Sequence, residues 1–293
     1  MNAHIEKGGD NSLVAIAGNP NVGKTSLFNW LTGSQQKVTN YPGVTVERFE
    51  GVLAQSDSIR VLDVPGTYSL SSRSPEEEIA IRSIAGLGEE RQPDLVVLVV
   101  DATQLSRNLY LTLQVRELGI PTIIAVTMSD LCEGETLDVK ALGDSLGVSV
   151  VRVSGVTGAG LPELREEIKA ALNQPDAQDS SFPWKLSPQL LEDVDVVASE
   201  IPDSWGAGSG CRRTALALWA LLSLNEEDEL SEIPTGLRLV AKERCSKERD
   251  IEREVIMARY AHIDRIIATT GELSANSRRS TERADSILLH PVF

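Results

Sequence analysis

Between residue 13 and about residue 172, short unbroken apolar runs alternate with stretches whose apolar residues recur every three or four positions. The runs "LVAIA" (13–17), "DLVVLVVD" (94–101), "PTIIAVTM" (121–128) and "SVVRVS" (149–154) lack polar alternation, which predicts strands covered on both faces. Between them "KTSLFNWL", "SPEEEIAIRSI", "SRNLYLTLQVREL", "VKALGDSLG" and "LPELREEIKAAL" carry helical spacing, with Ser106 and the Leu161-Pro162 pair as start signals. Strands alternating with helices predict an α/β fold: a doubly wound, mostly parallel sheet with right-handed crossovers. The segment 48–64, "RFEGVLAQSDSIRVLDV", reads instead as two strands around the polar turn "QSDS" and gives the sheet one antiparallel edge strand.

At about residue 173 the texture changes to "NQPDAQDSSFPWKLSP", a Pro/Ser/Asp-rich linker over 173–187, after which strand signals disappear. "SPQLLEDVDVVASEI" and "GCRRTALALWALLSL" read as helices, and Ile251, Val255, Ala258, Ile263 and Ile267 draw an apolar stripe. The pattern predicts a large domain over 13–172 and a small all-α domain over 188–271, with tails at 1–12 and 272–293.

Composition narrows the partners. Acidic residues outnumber basic ones 43 to 28, for a formal charge of -15, and no Lys/Arg run suited to a phosphate backbone is present, so nucleic acid is not expected. Cys132, Cys211 and Cys245 lie far apart with no C-x-x-C pair, which suits a reducing compartment and points to neither a disulfide framework nor a zinc site. The N-terminus has no secretory h-region, and no run reaches the roughly 18 to 20 apolar residues of a membrane helix, so the chain reads as soluble.

The chemistry concentrates in "GNPNVGKT" (18–25). Gly18, Gly23, Lys24 and Thr25 fit G-x-x-x-x-G-K-[ST] directly after a predicted strand and before a predicted helix. Glycines let the backbone wrap phosphates, the helix N-terminus favours the anion, Lys24 reaches the β and γ phosphates, and Thr25 ligates Mg2+. The site assigned here comprises Gly18, Asn19, Asn21, Val22, Gly23, Lys24, Thr25 and Ser26; the plain alternative is a glycine turn with an incidental lysine. Asp63 and Gly66 of "DVPG" supply an acid facing the metal through water and an N–H for the γ phosphate. Upstream, Gly43, Val44 and Thr45 of "NYPGVTVERFEG" lie in a loop where the Thr45 hydroxyl completes the Mg2+ shell, unless Thr45 is an ordinary strand-edge residue.

At the base end "TMSD" (127–130) keeps Asp130 where an N-K-x-D signature has its acid, with Thr127 and Met128 in place of the asparagine and lysine. One acid accepting two hydrogen bonds from the guanine edge is enough to oppose adenine. Ser154, Gly155 and Val156 of "VSGVTG" follow the last strand and fit a base-flanking loop, though a plain strand-to-helix connection reads the same way. Thr67 follows Gly66 where Ras-like enzymes place a water-orienting glutamine. Arg48 and Arg73 are the arginines available as charge-stabilising fingers, and solvated surface arginines are their plainer reading.

Together "GNPNVGKTSLFNWLTG", "VTNYPGVTVERFEG", "DVPGTYSLSSRSPEEEIA" and "VVDATQLSRNLYLTLQVRELGIPTIIAVTMSD" resemble the cytoplasmic N-terminal part of the bacterial ferrous iron transporter B (FeoB) family, and "ADSILLHPVF" resembles the segment preceding its first membrane helix. The resemblance implies a P-loop GTPase domain followed by a helical domain likened to a nucleotide-dissociation inhibitor. It implies GTP/GDP and Mg2+ as ligands, slow hydrolysis, and a place on the cytoplasmic face of the inner membrane. There the chain would regulate or drive Fe2+ uptake through its own membrane domain. The family usually has Asn-Met-x-Asp where this chain has Thr127, Met128 and Asp130. The position of Asn21 resembles a K+-binding asparagine, which together with Lys24, Thr45 and Gly66 makes up the implied catalytic group; a loop brace is the alternative. Two other readings remain open: a soluble ribosome-assembly GTPase, and a binding switch whose hydrolysis is incidental. The sequence leaves open whether copies assemble into a homo-oligomer.

Overall fold

The computed structural model describes residues 12–33, 36–41, 44–56, 58–71, 74–88, 90–132, 137–174, 182–205, 210–224, 233–245 and 249–270. Both predicted tails apart from Ser12, including "ADSILLHPVF", lie outside the described residues, as do Gly43 and Arg73.

Among the described residues seven strands form one sheet: β1 (Ser12–Gly18), β2 (Gln36–Asn40), β3 (Glu47–Val52), β4 (Ile59–Asp63), β5 (Leu95–Asp101), β6 (Thr122–Thr127) and β7 (Ser149–Arg152), in the order β2-β3-β4-β1-β5-β6-β7. β1 pairs in parallel with β4 and β5, and β6 and β7 follow in parallel. β3 runs antiparallel to both its neighbours, so the expected hairpin is there, with β2 as an extra strand outside it. The sequence pattern gave no sign of β2. All five of its residues are exposed, and it holds on through backbone pairing such as Val38 opposite Phe49.

β5 and β6 are buried along their whole length and β1 everywhere but Ser12, which accounts for their unbroken apolar runs. β7 is a correction to that reading: as the last strand it leaves Ser149 and Arg152 exposed, and Val151 alone is fully buried. α1 (Lys24–Thr32) and α5 (Leu161–Asn173) close one face, their Phe28 and Ile168 sharing a buried cluster with Ile16 and Val97 of the sheet. α2 (Pro75–Ala85), α3 (Leu105–Glu117) and α4 (Val139–Leu146) lie on the other. α2 starts as its pattern predicts, with Pro75 in the first turn and the Ser74 side chain accepting from the Glu77 N–H. Ser106 does not start α3: Asp101 accepts from the Thr103 N–H at 2.8 Å and caps a 3-10 turn, Ala102–Gln104, that runs straight into the helix.

The second half is helical, as expected: α6 (Pro188–Ala198), α7 (Gly210–Ser223), α8 (Thr235–Arg244) and α9 (Ile251–Thr269). Its apolar core does not separate from that of the sheet. One buried cluster runs from Val96 and Leu113 through Leu216 to Val255 and Ile263, with α9 packed on α3 and α4. The segment read as a linker is also more than a spacer, since Phe182, Trp184 and Leu186 pack on this cluster. Glu117 of α3 fastens the halves together: its carboxylate receives Arg259 Nε at 2.9 Å, Arg259 Nη2 at 2.6 Å and the Trp184 indole N–H at 2.6 Å. Burial disfavours the Arg259 charge, but Glu117 and Tyr110 outweigh it and hold its pKa above the ordinary arginine value.

Candidate functional site

β1 lies where the strand order reverses, and in such sheets the crevice at the carboxyl ends of the strands is where ligands bind. The "GNPNVGKT" loop leaves β1 at that edge, with Asp63, Asp101 and Thr127 ending β4, β5 and β6 beside it. Gly23 sits at φ +88° as the N-cap of α1 and supplies no side-chain cap, so the first N–H groups of the helix stay available to an anion. Asn21 is also left-handed, at φ 65°, a conformation asparagine tolerates better than most residues. Its side chain is exposed and makes no hydrogen bond among the described residues. Asn19 differs: it is buried, yet neither atom of its carboxamide is hydrogen-bonded there.

Lys24 Nζ lies 2.7 Å from Asp63 Oδ1, with both side chains nearly sealed from solvent. Burial raises the Asp63 pKa and the Lys24 ammonium opposes that rise. The structure thereby joins two residues that sequence reasoning assigned to one ligand. Val64 N–H donates to Ile16 O at 2.9 Å and Thr67 N–H to Gly18 O at 3.2 Å, laying the 64–67 segment along the loop. A methyl added at Gly66 would come within 3.2 Å of Pro20 Cα, so any larger residue there would press on the loop backbone. The Thr67 hydroxyl donates to Ser69 O at 2.7 Å. Further along, Gln114 accepts from the Leu70 N–H at 3.0 Å, and Glu77 accepts from the Ser69 and Ser71 hydroxyls at 3.0 and 2.9 Å.

Thr45 and Val44 stand exposed in a turn closed by Tyr41 N–H donating to Val46 O at 3.0 Å, and no hydrogen bond joins Thr45 to the phosphate loop among the described residues. Gly43 lies outside them. Arg48 is not the solvated side chain of the plain reading: it pairs with Glu90 at 2.6 Å and Glu50 at 2.7 Å, which holds it as part of the β3 surface.

At the other end of the crevice, the Thr127 hydroxyl donates to Val22 O at 2.9 Å and is buried, tying the end of β6 to the phosphate loop. Met128, at φ 55°, turns the chain outward and leaves Asp130 exposed in the 3-10 turn Ser129–Leu131. Gly155 comes against α1, where an added methyl would lie 3.0 Å from Ser26 Cβ, and Val156 is 92% exposed beside it. The roles of the Thr127 hydroxyl, Gln114 and Glu77 were missed by sequence reasoning. Of these, only Glu77 carries any readable signal: the Ser74-x-x-Glu77 spacing marks the helix start, where the Glu77 N–H donates to Ser74 Oγ, but not its carboxylate's bonds to Ser69 and Ser71. Among the described residues no group of His, Cys, Asp and Glu could by itself hold a metal ion, and no helix is long and apolar enough to cross a membrane.

A family model described as ferrous iron transport protein B matches residues 12–168. Over 154 residues the chain is 53% identical to an Fe(2+) transport protein A/Fe(2+) transporter FeoB fusion protein of Porphyromonas gingivalis, covering 52% of this chain and 18% of that one. Over 298 aligned positions it is 37% identical to the Fe(2+) transporter FeoB of Salmonella typhimurium, covering 96% of this chain and 37% of the relative. The chain thus spans well under half the length of these relatives. Among solved structures it is similar to a mutant S. thermophilus NFeoB bound to mGDP, with TM-score 0.73, 32% identity, and coverage of 89% of this chain and 100% of that one. It is also similar to the cytosolic domain of L. pneumophila FeoB, with TM-score 0.72, 30% identity, and coverage of 89% and 100%. With the family model, the relatives and the fold in agreement, the chain belongs to the ferrous iron transport protein B family, of which it carries the N-terminal GTPase region.

Proposed function

We propose that the chain binds GTP with Mg2+, hydrolyses it slowly with help from K+, and in a longer protein regulates or drives Fe2+ passage through a membrane domain. The observation that carries this reading is the Lys24–Asp63 pair at the mouth of a glycine-wrapped helix N-terminus. A γ phosphate competing for Lys24 would release Asp63 to face a metal-bound water, so the loop starting at Asp63 would feel whether that phosphate is present. The donors fit Mg2+: the Thr25 hydroxyl is exposed on the first turn of α1, and Thr45 carries a second exposed hydroxyl, hard oxygens of the kind the ion takes. Mg2+ would neutralise charge between the β and γ phosphates. Lys24 binds the phosphates, Gly66 offers its N–H, and Asp130 accepts from the guanine edge, with Val44, Met128, Ser154 and Val156 around the nucleotide.

Slow turnover follows from what the residues cannot do. Thr67 spends its hydroxyl on Ser69 O, and Arg48 is committed to Glu50 and Glu90, so neither orients water or offsets charge. Asn21, exposed and unbonded in a phosphate-loop turn, offers its side-chain oxygen to a cation more readily than the buried Asn19, and among the described residues no hydrogen bond supports the loop-brace alternative. Steady-state hydrolysis in matched K+ and Na+ buffers tests this. The wild type should be faster in K+, and Asn21→Ala should lose that stimulation with nucleotide affinity kept. Equal rates in both salts would contradict the K+ role. For the transport role, Fe2+ uptake by cells carrying a complete reading frame with Asp130→Asn should fall with guanine affinity; unchanged uptake would refute the coupling. Similarity to GDP-bound and GMPPNP-bound FeoB structures supports the nucleotide class, and the acidic balance favours this reading over a ribosome-assembly factor.

A further inference from the structure

Trp30 follows Ser26 by four residues on α1, so the two share one face of the helix. That face carries the 154–158 loop. The Trp30 indole N–H donates to Gly155 O at 2.9 Å, and its ring lies beneath Gly158, where an added methyl would sit 3.2–3.5 Å from three ring carbons. Ser26 touches the loop from one turn earlier, at Gly155. Arg165 of α5 steadies the tryptophan from behind, donating to Trp30 O at 3.0 Å. The loop's own bonds are short-ranged: Gly158 N–H to Ser154 O at 2.9 Å, and Thr157 N–H to Ser154 Oγ at 3.2 Å.

A tryptophan that is 45% exposed can satisfy its N–H with water, so surface position alone does not call for this bond. Here the N–H instead points into the backbone of a loop whose next residue, Val156, is almost fully exposed and has no packing of its own to fix it. The same helix carries Lys24 and Thr25 at its first turn, so α1 mounts the phosphate end and the base end of the crevice on one rigid body.

We propose that Trp30 is a positioning residue for the base: it holds the 154–158 loop against guanine and thereby sets how fast the nucleotide leaves, without acting on the phosphates. This rests on the guanine-site reading given under Proposed function. It is tested by stopped-flow release of mant-GDP from the wild type, Trp30→Phe and Trp30→Ala. Phenylalanine keeps a ring beneath Gly158 and removes the N–H; alanine removes both. Release should quicken about fivefold in Trp30→Phe, the worth of one hydrogen bond, and further in Trp30→Ala. KM for GTP should rise in step while kcat at saturation changes by less than about twofold, because the lost contact holds ground state and transition state alike. Wild-type release from Trp30→Phe would overturn the proposal, as would a fall in kcat with KM unchanged. If Trp30→Ala does not fold, Trp30→Phe alone decides. Failure of the wild type to retain mant-GDP at all would instead count against the guanine site itself.

Discussion

At the phosphate end of the crevice Lys24 and Asp63 meet at 2.7 Å with little access to solvent, and the backbone of 64–67 is bonded to the phosphate loop. At the base end Asp130 stands exposed, Leu131 is 60% and Val156 92% exposed, and the loops are braced from beneath by Thr127 and Trp30. One end is assembled around backbone and a sealed ion pair before any ligand arrives. The other presents exposed side chains on supports. Under the proposed function the contrast would separate two tasks: affinity and chemistry at the phosphate end, selectivity and residence time at the base end.

The strongest way to break the contrast is at Lys24. If Lys24 binds the β and γ phosphates as proposed, Lys24→Ala should lower triphosphate affinity by roughly a hundredfold. Circular dichroism should still show a folded chain, with a lower Tm because Asp63 is left buried without its partner. Normal GTP hydrolysis by this variant would remove the phosphate-loop assignment. Next in size, Asp130→Asn should relax the preference for guanine over adenine by about two orders of magnitude, read by competition against mant-GDP, with little effect on stability because Asp130 is exposed. The smallest effect is at the joint between the ends. Thr127→Val removes the hydroxyl bonded to Val22 O and should weaken all nucleotides about fivefold without altering base preference. A changed preference would mean that Thr127 touches the base rather than the phosphate loop.

The sheet was legible in the sequence wherever burial on both faces suppressed polar residues, as in β1, β5 and β6. It was illegible where a strand is held by backbone alone, as in β2, whose "QKVTN" has no apolar pattern to read. The loop after β1 was legible because its shape rests on glycines and one lysine at fixed spacing between a strand and a helix. Thr127 was visible only as a departure from the usual asparagine, and its bond to Val22 O joins residues 105 positions apart. Trp30 was hidden for a similar reason: within "KTSLFNWL" it reads as one more residue of a helix, and its partner Gly155 lies 125 positions on. The change from strand to helical texture near residue 173 was legible in composition, but the core that runs continuously through both halves was not. Glu117 and Arg259 look like ordinary surface charges on two helices until the fold brings them together, 142 residues apart, inside it.

Guanine selection by an exposed acid on a braced loop is tested directly by one titration. The wild-type chain, loaded with mant-GDP in Mg2+ buffer, is competed with GTP and with ATP. GTP should displace the probe stoichiometrically, while ATP at about a hundredfold excess should leave most of it bound, since adenine lacks the paired donors for which Asp130 is the proposed acceptor. Displacement by ATP and GTP at equal concentrations would contradict the account, whatever the phosphate loop does.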